Sequence, residues 1–106
     1  MRHFIMFTLY IAAIANIVLY PTVSEASEES VDKEAVAHFS NGIEFYKQHQ
    51  FEKAAIEFAR AYELKPSYKI LFNIAQAENM LEHYARALNA YENYLSQGGE
   101  EIAEDR

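Results

Sequence analysis

The chain has 106 residues, of which 51% are apolar and 24% are charged, and its formal net charge is −7. This length allows one small domain, and the composition is typical of a folded protein rather than a disordered one. The negative charge argues against a nucleic-acid-binding protein, because the phosphates would repel it. The absence of cysteine excludes disulfides, thiolate metal sites and cysteine nucleophiles.

The N-terminal segment predicts export. A short basic start precedes an uncharged, mainly apolar run over positions 4–20, and Pro21 ends the run. Residues 24–26 (Ser-Glu-Ala) then provide the small residues at positions −3 and −1 of a signal-peptidase site. We therefore interpret residues 1–26 as a cleaved signal peptide and expect a periplasmic or secreted protein. The alternative is a retained membrane anchor, since the run lies at the lower length limit of a spanning helix.

Residues 27–34 are polar and acidic, and we interpret them as a solvated leader into the first helix. Either Ser30 or Asp32 is the expected N-cap of that helix. Hydrophobic periodicity then predicts a first helix from about residue 34 to Lys47 and a polar turn at residues 48–50.

Three further helices are predicted after this turn, and the last two repeat the helix-turn-helix arrangement of the first two. The second helix ends near Leu64, because Pro66 cannot continue it. The third helix starts at residue 67 or 68, with Ser67 as its cap, and ends at about Leu81. After a turn at residues 82–83, a fourth helix ends before the glycine pair at 98–99. Residues 100–106 are expected to begin a further, capping helix.

The apolar stripe of the second helix recurs in the fourth. Every member is shifted by 33 positions, as from position 51 to position 84 (84 − 51 = 33). We call this shift the repeat offset. The first set is Phe51, Ala54, Ala55, Phe58, Ala61 and Tyr62, and the second is Tyr84, Ala87, Leu88, Tyr91, Tyr94 and Leu95. Each set alone is the buried face of an amphipathic helix. A period in the thirties indicates a helical solenoid, a class of protein that mostly binds other molecules.

Six positions of the first unit resemble the tetratricopeptide repeat (TPR) family. The family places a small residue at position 8, an aromatic at 11, alanine at 20, an aromatic at 24, alanine at 27 and proline at 32. Counted from Ala35, these are Gly42, Phe45, Ala54, Phe58, Ala61 and Pro66. The second unit agrees at Ala75, Ala87 and Tyr91 and departs from the pattern at Glu78, Tyr94 and Gly99. The resemblance implies an all-α superhelix of two helix-turn-helix units, 35–67 and 68–99, packed through these small and aromatic residues.

The resemblance also implies a concave groove lined by the first helix of each unit. Its lining would be Val36, Phe39, Ile43, Tyr46 and Lys47 from the first unit and Lys69, Phe72, Asn73, Gln76, Asn79 and Met80 from the second. Because Phe39 and Phe72 hold the same repeat position, we expect them to stack side by side. Phe39 and Ile43 replace charged and polar members of the carboxylate clamp found in some TPR proteins. The groove is therefore expected to take an apolar peptide or helix.

No catalytic constellation is visible, so we predict neither an enzyme nor a cofactor. The histidines His49 and His83, with Glu82, are the only metal-ligand candidates, and we interpret them as solvated turn residues. His38 holds a position usually occupied by an apolar residue and is predicted to be a partly buried structural histidine.

Together these features predict an exported adaptor or scaffold that binds a peptide or helix of an envelope protein. The alternative is a self-associating structural protein, or a shortened member of a longer TPR family. Two units are few for a solenoid, and they leave an apolar face of the fourth helix uncovered at Leu88, Tyr91 and Leu95. The groove residues themselves are open to a second interpretation, in which the chain's own termini or another copy cover them.

Overall fold

Four consecutive helices follow one another over the part of the chain that the computed structural model describes, the backbone of residues 22–104 and the side chains of residues 27–104. They are α1 (Thr22–Lys47), α2 (Phe51–Leu64), α3 (Tyr68–Met80) and α4 (Tyr84–Glu104). This stretch contains no β-strand, and the protein is all-α as predicted. Most of the predicted signal peptide, residues 1–21, lies outside the described residues. None of the described helices is long and apolar enough to cross a membrane.

Helix α1 begins much earlier than the hydrophobic pattern indicates. The predicted start near residue 34 is wrong, and Ser30 and Asp32 are interior helical residues rather than caps. Residues 27–34 are exposed, as expected of a polar segment, but they are helical. A fully exposed helix can form from residues of adequate helix propensity, without an apolar face. Because it has no apolar periodicity, the sequence pattern does not reveal where it starts. The compact unit that holds the packed helices begins at Val31.

The two helix-turn-helix units end their first helices with the same backbone motif. One residue in each turn has a positive φ, 60° at His49 and 63° at Glu82. The N–H groups of that residue and of the next one donate to carbonyls three and five positions earlier. These bonds, at 2.9–3.0 Å, are His49 to Tyr46, Gln50 to Phe45, Glu82 to Asn79 and His83 to Glu78. This is the Schellman arrangement of a helix C-terminus. The repeat offset therefore applies to the backbone as well as to the side chains.

Helices α1 and α2 approach each other closely where Phe58 meets Gly42. The Phe58 side chain is 1% exposed. A Cβ atom at Gly42 would lie 2.6 Å from two ring carbons of Phe58, so no larger residue fits without movement. On α2, Ala54 and Ala61 are fully buried and keep the neighbouring helices close. The core therefore forms around one aromatic ring that packs against small residues.

Helix α3 packs against both α2 and α4 and joins the two units. Its small residues Ala75 and Ala77 are fully buried, and Ala87 of α4 is nearly so. Among the other predicted packing residues, Phe45 and Tyr91 are partly buried, while Pro66 is exposed in the turn before α3. Ser67 occupies the N-cap position of α3, but its side chain makes no capping hydrogen bond.

Helix α4 is interrupted at Gly99, within the predicted glycine stop. Gly99 has φ 45° and ψ −122°, a conformation that only glycine adopts readily, and helical backbone continues after it to Glu104. The Ile102 side chain packs against Gly98, and the Tyr68 ring also lies close to Gly98. Residues 100–104 therefore form a short helical turn after a break in direction.

We predict that Gly42→Leu lowers the free energy of unfolding by about 2 kcal/mol, because the new side chain must displace the Phe58 ring. Part of the penalty is offset by the better helix propensity of leucine, roughly 1 kcal/mol. Urea unfolding followed by circular dichroism measures the change. The control is Asn41→Leu at the neighbouring exposed position, which should stay within about 0.5 kcal/mol of the wild type. Equal stability of the two variants would contradict the close approach of α1 and α2.

Candidate functional site

The predicted groove residues divide into an exposed group and a group that supports the core. Phe39, Ile43 and Tyr46 pack against the buried cluster formed by α2 and α3. Asn73 and Gln76 are also only partly accessible. The exposed members are Val36, Lys47, Lys69, Phe72, Asn79 and Met80. Only the exposed residues can be replaced without disturbing the core.

The predicted stacking of Phe39 on Phe72 is wrong. The Phe39 ring contacts Phe58 at a centroid distance of 5.6 Å, and the Phe72 ring contacts Tyr91 at 5.8 Å and Tyr94 at 5.2 Å. Each phenylalanine therefore packs on the second helix of its own unit. The Phe39–Phe58 and Phe72–Tyr91 pairs are themselves related by the repeat offset, so the repeat extends to these ring contacts.

An open cavity of about 340 Å³ lies between α1 and the start of α3. Its lining is mainly apolar and includes Val36, Phe39 and Lys69 from the predicted groove. The lining residues are Ala35, Val36, Phe39, Lys65, Pro66, Ser67, Lys69 and Ile70. Val36 is 64% exposed, so this apolar side chain is accessible to solvent at the edge of the cavity and little of it is covered by the rest of the fold. We call this feature the α1–α3 cavity.

Two lysines give the α1–α3 cavity a basic edge. The Lys65 Nζ lies 3.0 Å from Asp32 Oδ2, and both side chains are more than half exposed, so water weakens this ion pair. The Lys69 Nζ lies 6.0 Å from the centroid of the Tyr68 ring. Within residues 27–104, no carboxylate forms a salt bridge with Lys69. Lys69 therefore places a positive charge without a carboxylate partner in residues 27–104 beside the apolar cavity, although the whole protein has a net charge of −7.

His38 is partly buried, as predicted, and it pairs with a carboxylate that the sequence pattern did not indicate. Its Nδ1 lies 2.6 Å from Glu57 Oε2, and the two side chains are 20% and 19% exposed. The corresponding residues of the second unit, Leu71 and Ala90, are apolar and buried. The pair thus occupies two positions that the second unit fills with buried apolar side chains. Its members lie on different helices, so their spacing in the sequence gave no signal for the contact.

The turn histidines are engaged locally. His83 Nδ1 lies 2.7 Å from Glu78 Oε2, and Arg86 approaches the other oxygen of that carboxylate at 3.9 Å. The His49 ring packs edge-on against Phe51 at 5.6 Å. Over residues 27–104 there is no cluster of three histidine, aspartate or glutamate side chains that could hold a metal ion.

A second apolar surface lies on α4 and is called here the end face. It consists of Phe72 from α3 and of Tyr84, Leu88, Tyr91 and Leu95 from α4. Leu88 and Leu95 are 59% and 56% exposed, whereas Ala55, which corresponds to Leu88 in the first unit, is 9% exposed. The difference arises because α3 packs on α2, and none of the described helices covers α4 in the same way.

Comparison of the chain with protein-family models, with curated proteins and with solved structures found no match. Contiguous apolar surface with a polar or charged edge is characteristic of sites where a protein binds another protein.

We predict that the His38–Glu57 pair is structural. Glu57→Ala or His38→Leu alone should each cost about 1 kcal/mol of unfolding free energy, because each leaves its partner half-buried without that contact. The double variant His38→Leu/Glu57→Ala installs the residues of the second unit and should recover most of this loss. A double-mutant cycle in urea measures the coupling. Losses that simply add in the double variant would show that the pair contributes nothing as a pair.

Proposed function

We propose that this protein is an exported TPR-type adaptor that binds a peptide or helix of another envelope protein in the α1–α3 cavity. The observation that carries the proposal is the cavity itself, which is open, mainly apolar and bordered by lysines. Its volume of about 340 Å³ is at the lower end of the range of small-molecule pockets, roughly 300–1,000 Å³, and is larger than one side chain needs.

The assignment to the TPR class rests on repetition at three levels. The apolar stripe of the second helix recurs in the fourth at the repeat offset. The two turn motifs recur with the same offset, and so do the ring pairs between the first and second helices of each unit. Repeat proteins of this kind mostly act by presenting extended surfaces to partners. These features support an adaptor more than an enzyme, and the proposal assigns the chain no catalytic step and no cofactor.

The lining of the cavity defines the partner segment. Val36, Phe39 and Ile70 offer an apolar floor, which suits one or two apolar side chains of a helix or extended peptide. Lys65 and Lys69 at the edge favour a segment that carries acidic residues beside those anchors. The same lysines lie in a chain of net charge −7, so the attraction is local and should weaken as salt is added.

The expected location of this binding follows from the N-terminal segment. A cleaved signal peptide would place the adaptor in the periplasm or outside the cell, and a retained segment would hold it at the membrane. In both cases the partner is an exported or envelope protein. N-terminal sequencing of the protein purified from its native host distinguishes a chain that begins near Ser27 from an uncleaved one.

We predict that Val36→Glu abolishes partner binding without unfolding the protein. Val36 is exposed, so the substitution puts a carboxylate into the apolar cavity, where an anchoring side chain would have to desolvate it. Recovery of the partner from envelope extract on the tagged full chain should fall at least about tenfold, which corresponds to roughly 1.4 kcal/mol. Phe39→Ala is a poorer test, because Phe39 also supports Phe58 in the core.

The matched control is Ile56→Glu on α2, which puts the same carboxylate at an apolar side chain that is 52% exposed. It lies outside the lining of the cavity and should leave recovery unchanged. Quantitative mass spectrometry of the captured proteins compares the variants. The proposal fails if every protein captured by the wild type is recovered equally with Val36→Glu, or if the wild type captures nothing above the untagged background.

A further inference from the structure

We infer that the end face is a contact between two copies of this chain, joined face to face about a two-fold axis. This surface is separate from the α1–α3 cavity, since no residue that lines the cavity belongs to the end face. The inference therefore does not depend on the proposed partner binding, and a pair of chains would leave both cavities open.

The apolar residues of α4 have the spacing of a helix-pairing seam. Tyr84, Leu88, Tyr91 and Leu95 follow one another in steps of four, three and four along the sequence. This alternation places side chains along one stripe of a helix and is the pattern through which two helices interdigitate. Within the fold the stripe is largely open, because Tyr84, Leu88 and Leu95 are all more than half exposed. A second helix packed along this stripe would bury these three side chains.

The exposed apolar surface is concentrated here. Of the eight large apolar side chains that are exposed in residues 27–104, four lie on the end face: Phe72, Tyr84, Leu88 and Leu95. If each of the four is assigned the roughly 150–250 Å² of an aromatic side chain, half exposure gives an upper estimate of about 400 Å² of apolar surface. A standard interface takes about 800 Å² from each partner, of which slightly more than half is apolar. The end face therefore supplies close to the apolar area that a stable dimer requires.

Stacking of copies head to tail is disfavoured by the other end of the molecule. Helix α3 packs on the α2 core through Ile70, Ile74, Ala77 and Leu81. The corresponding residues of α1, one repeat offset earlier, are Ala37, Asn41, Glu44 and Gln48, and all four are exposed. A second copy that offered α1 to the end face would bury a carboxylate and two amides against leucine without hydrogen-bond partners. The first unit thus ends the repeat with polar residues, and an open filament does not form.

Face-to-face pairing has no such penalty. The five residues of the end face are uncharged, so two chains of net charge −7 can meet there without opposing like charges at the centre. Leu88 also stands where the first unit has Ala55, the residue that lets α3 approach α2. A larger side chain at this position suits the interdigitation of two equivalent rows rather than the close approach of another α3-like helix. The occupant that the surface fits is therefore the same surface of a second copy, an isologous contact.

Sedimentation velocity over a hundredfold concentration range tests the inference on the full chain, purified as the cell processes it. The wild type should show a monomer–dimer equilibrium. In Leu88→Glu/Leu95→Glu, four carboxylates would meet in the interface, and the dissociation constant should rise at least about a hundredfold. The control Ile56→Glu, outside the end face, should sediment like the wild type. Circular dichroism verifies that all variants are equally helical.

A mixing experiment distinguishes the two-fold arrangement from any other. Leu88→Lys/Leu95→Lys should be monomeric by itself, as its glutamate counterpart is, but an equimolar mixture of the two should form a heterodimer, because opposite charges then face each other. A head-to-tail contact gives no such rescue. The inference is overturned if the wild type is monomeric throughout, if the glutamate variant associates as strongly as Ile56→Glu, or if the mixture stays monomeric.

Discussion

The contact on which the rest of the structure depends is the Phe58 ring against the backbone of Gly42. It lets α1 approach α2 as closely as an aromatic ring permits, and it leaves no room for a Cβ atom between them. The Phe39 ring of α1 also contacts the Phe58 ring, at a centroid distance of 5.6 Å, and this contact helps to determine where α1 passes the start of α3. The α1–α3 cavity is the space that remains there. A change at Gly42 should therefore disturb both the stability of the core and the shape of the cavity.

The two units share a backbone plan but differ in several residues at equivalent repeat positions. In the first unit, His38 and Glu57 replace the buried apolar residues that the second unit has at the same positions. On α4, Leu88 replaces the small Ala55 and stays exposed. The outer face of α1 is polar at Asn41 and Glu44, whereas the end face on α4 is apolar, so the two ends of the repeat differ. The α1–α3 cavity and the end face share no residue, so the proposed partner binding and the proposed pairing of copies would not compete for the same side chains.

Much of the helix pattern was predictable from the sequence, because local signals set the helix ends. The turn at residues 48–50 is uniformly polar, and α2 ends at Leu64, just before Pro66. The start of α1 was not predictable, since an exposed helix has no apolar period. The stacking of Phe39 on Phe72 was predicted wrongly. Two residues at the same position of successive repeats have similar surroundings, but they need not touch each other. Side-chain pairs between helices, such as His38 with Glu57, depend on the crossing geometry and leave no trace in spacing.

The central claim is that the α1–α3 cavity is a protein-binding site, and site-specific photo-crosslinking in living cells tests it most directly. A photoreactive amino acid at position 36 places the probe at the cavity, and the same residue at position 56 reports on an exposed apolar position elsewhere. We expect one discrete adduct with an exported protein from position 36 and none with that protein from position 56. The absence of any adduct from position 36, or the same adducts from both positions, would contradict it.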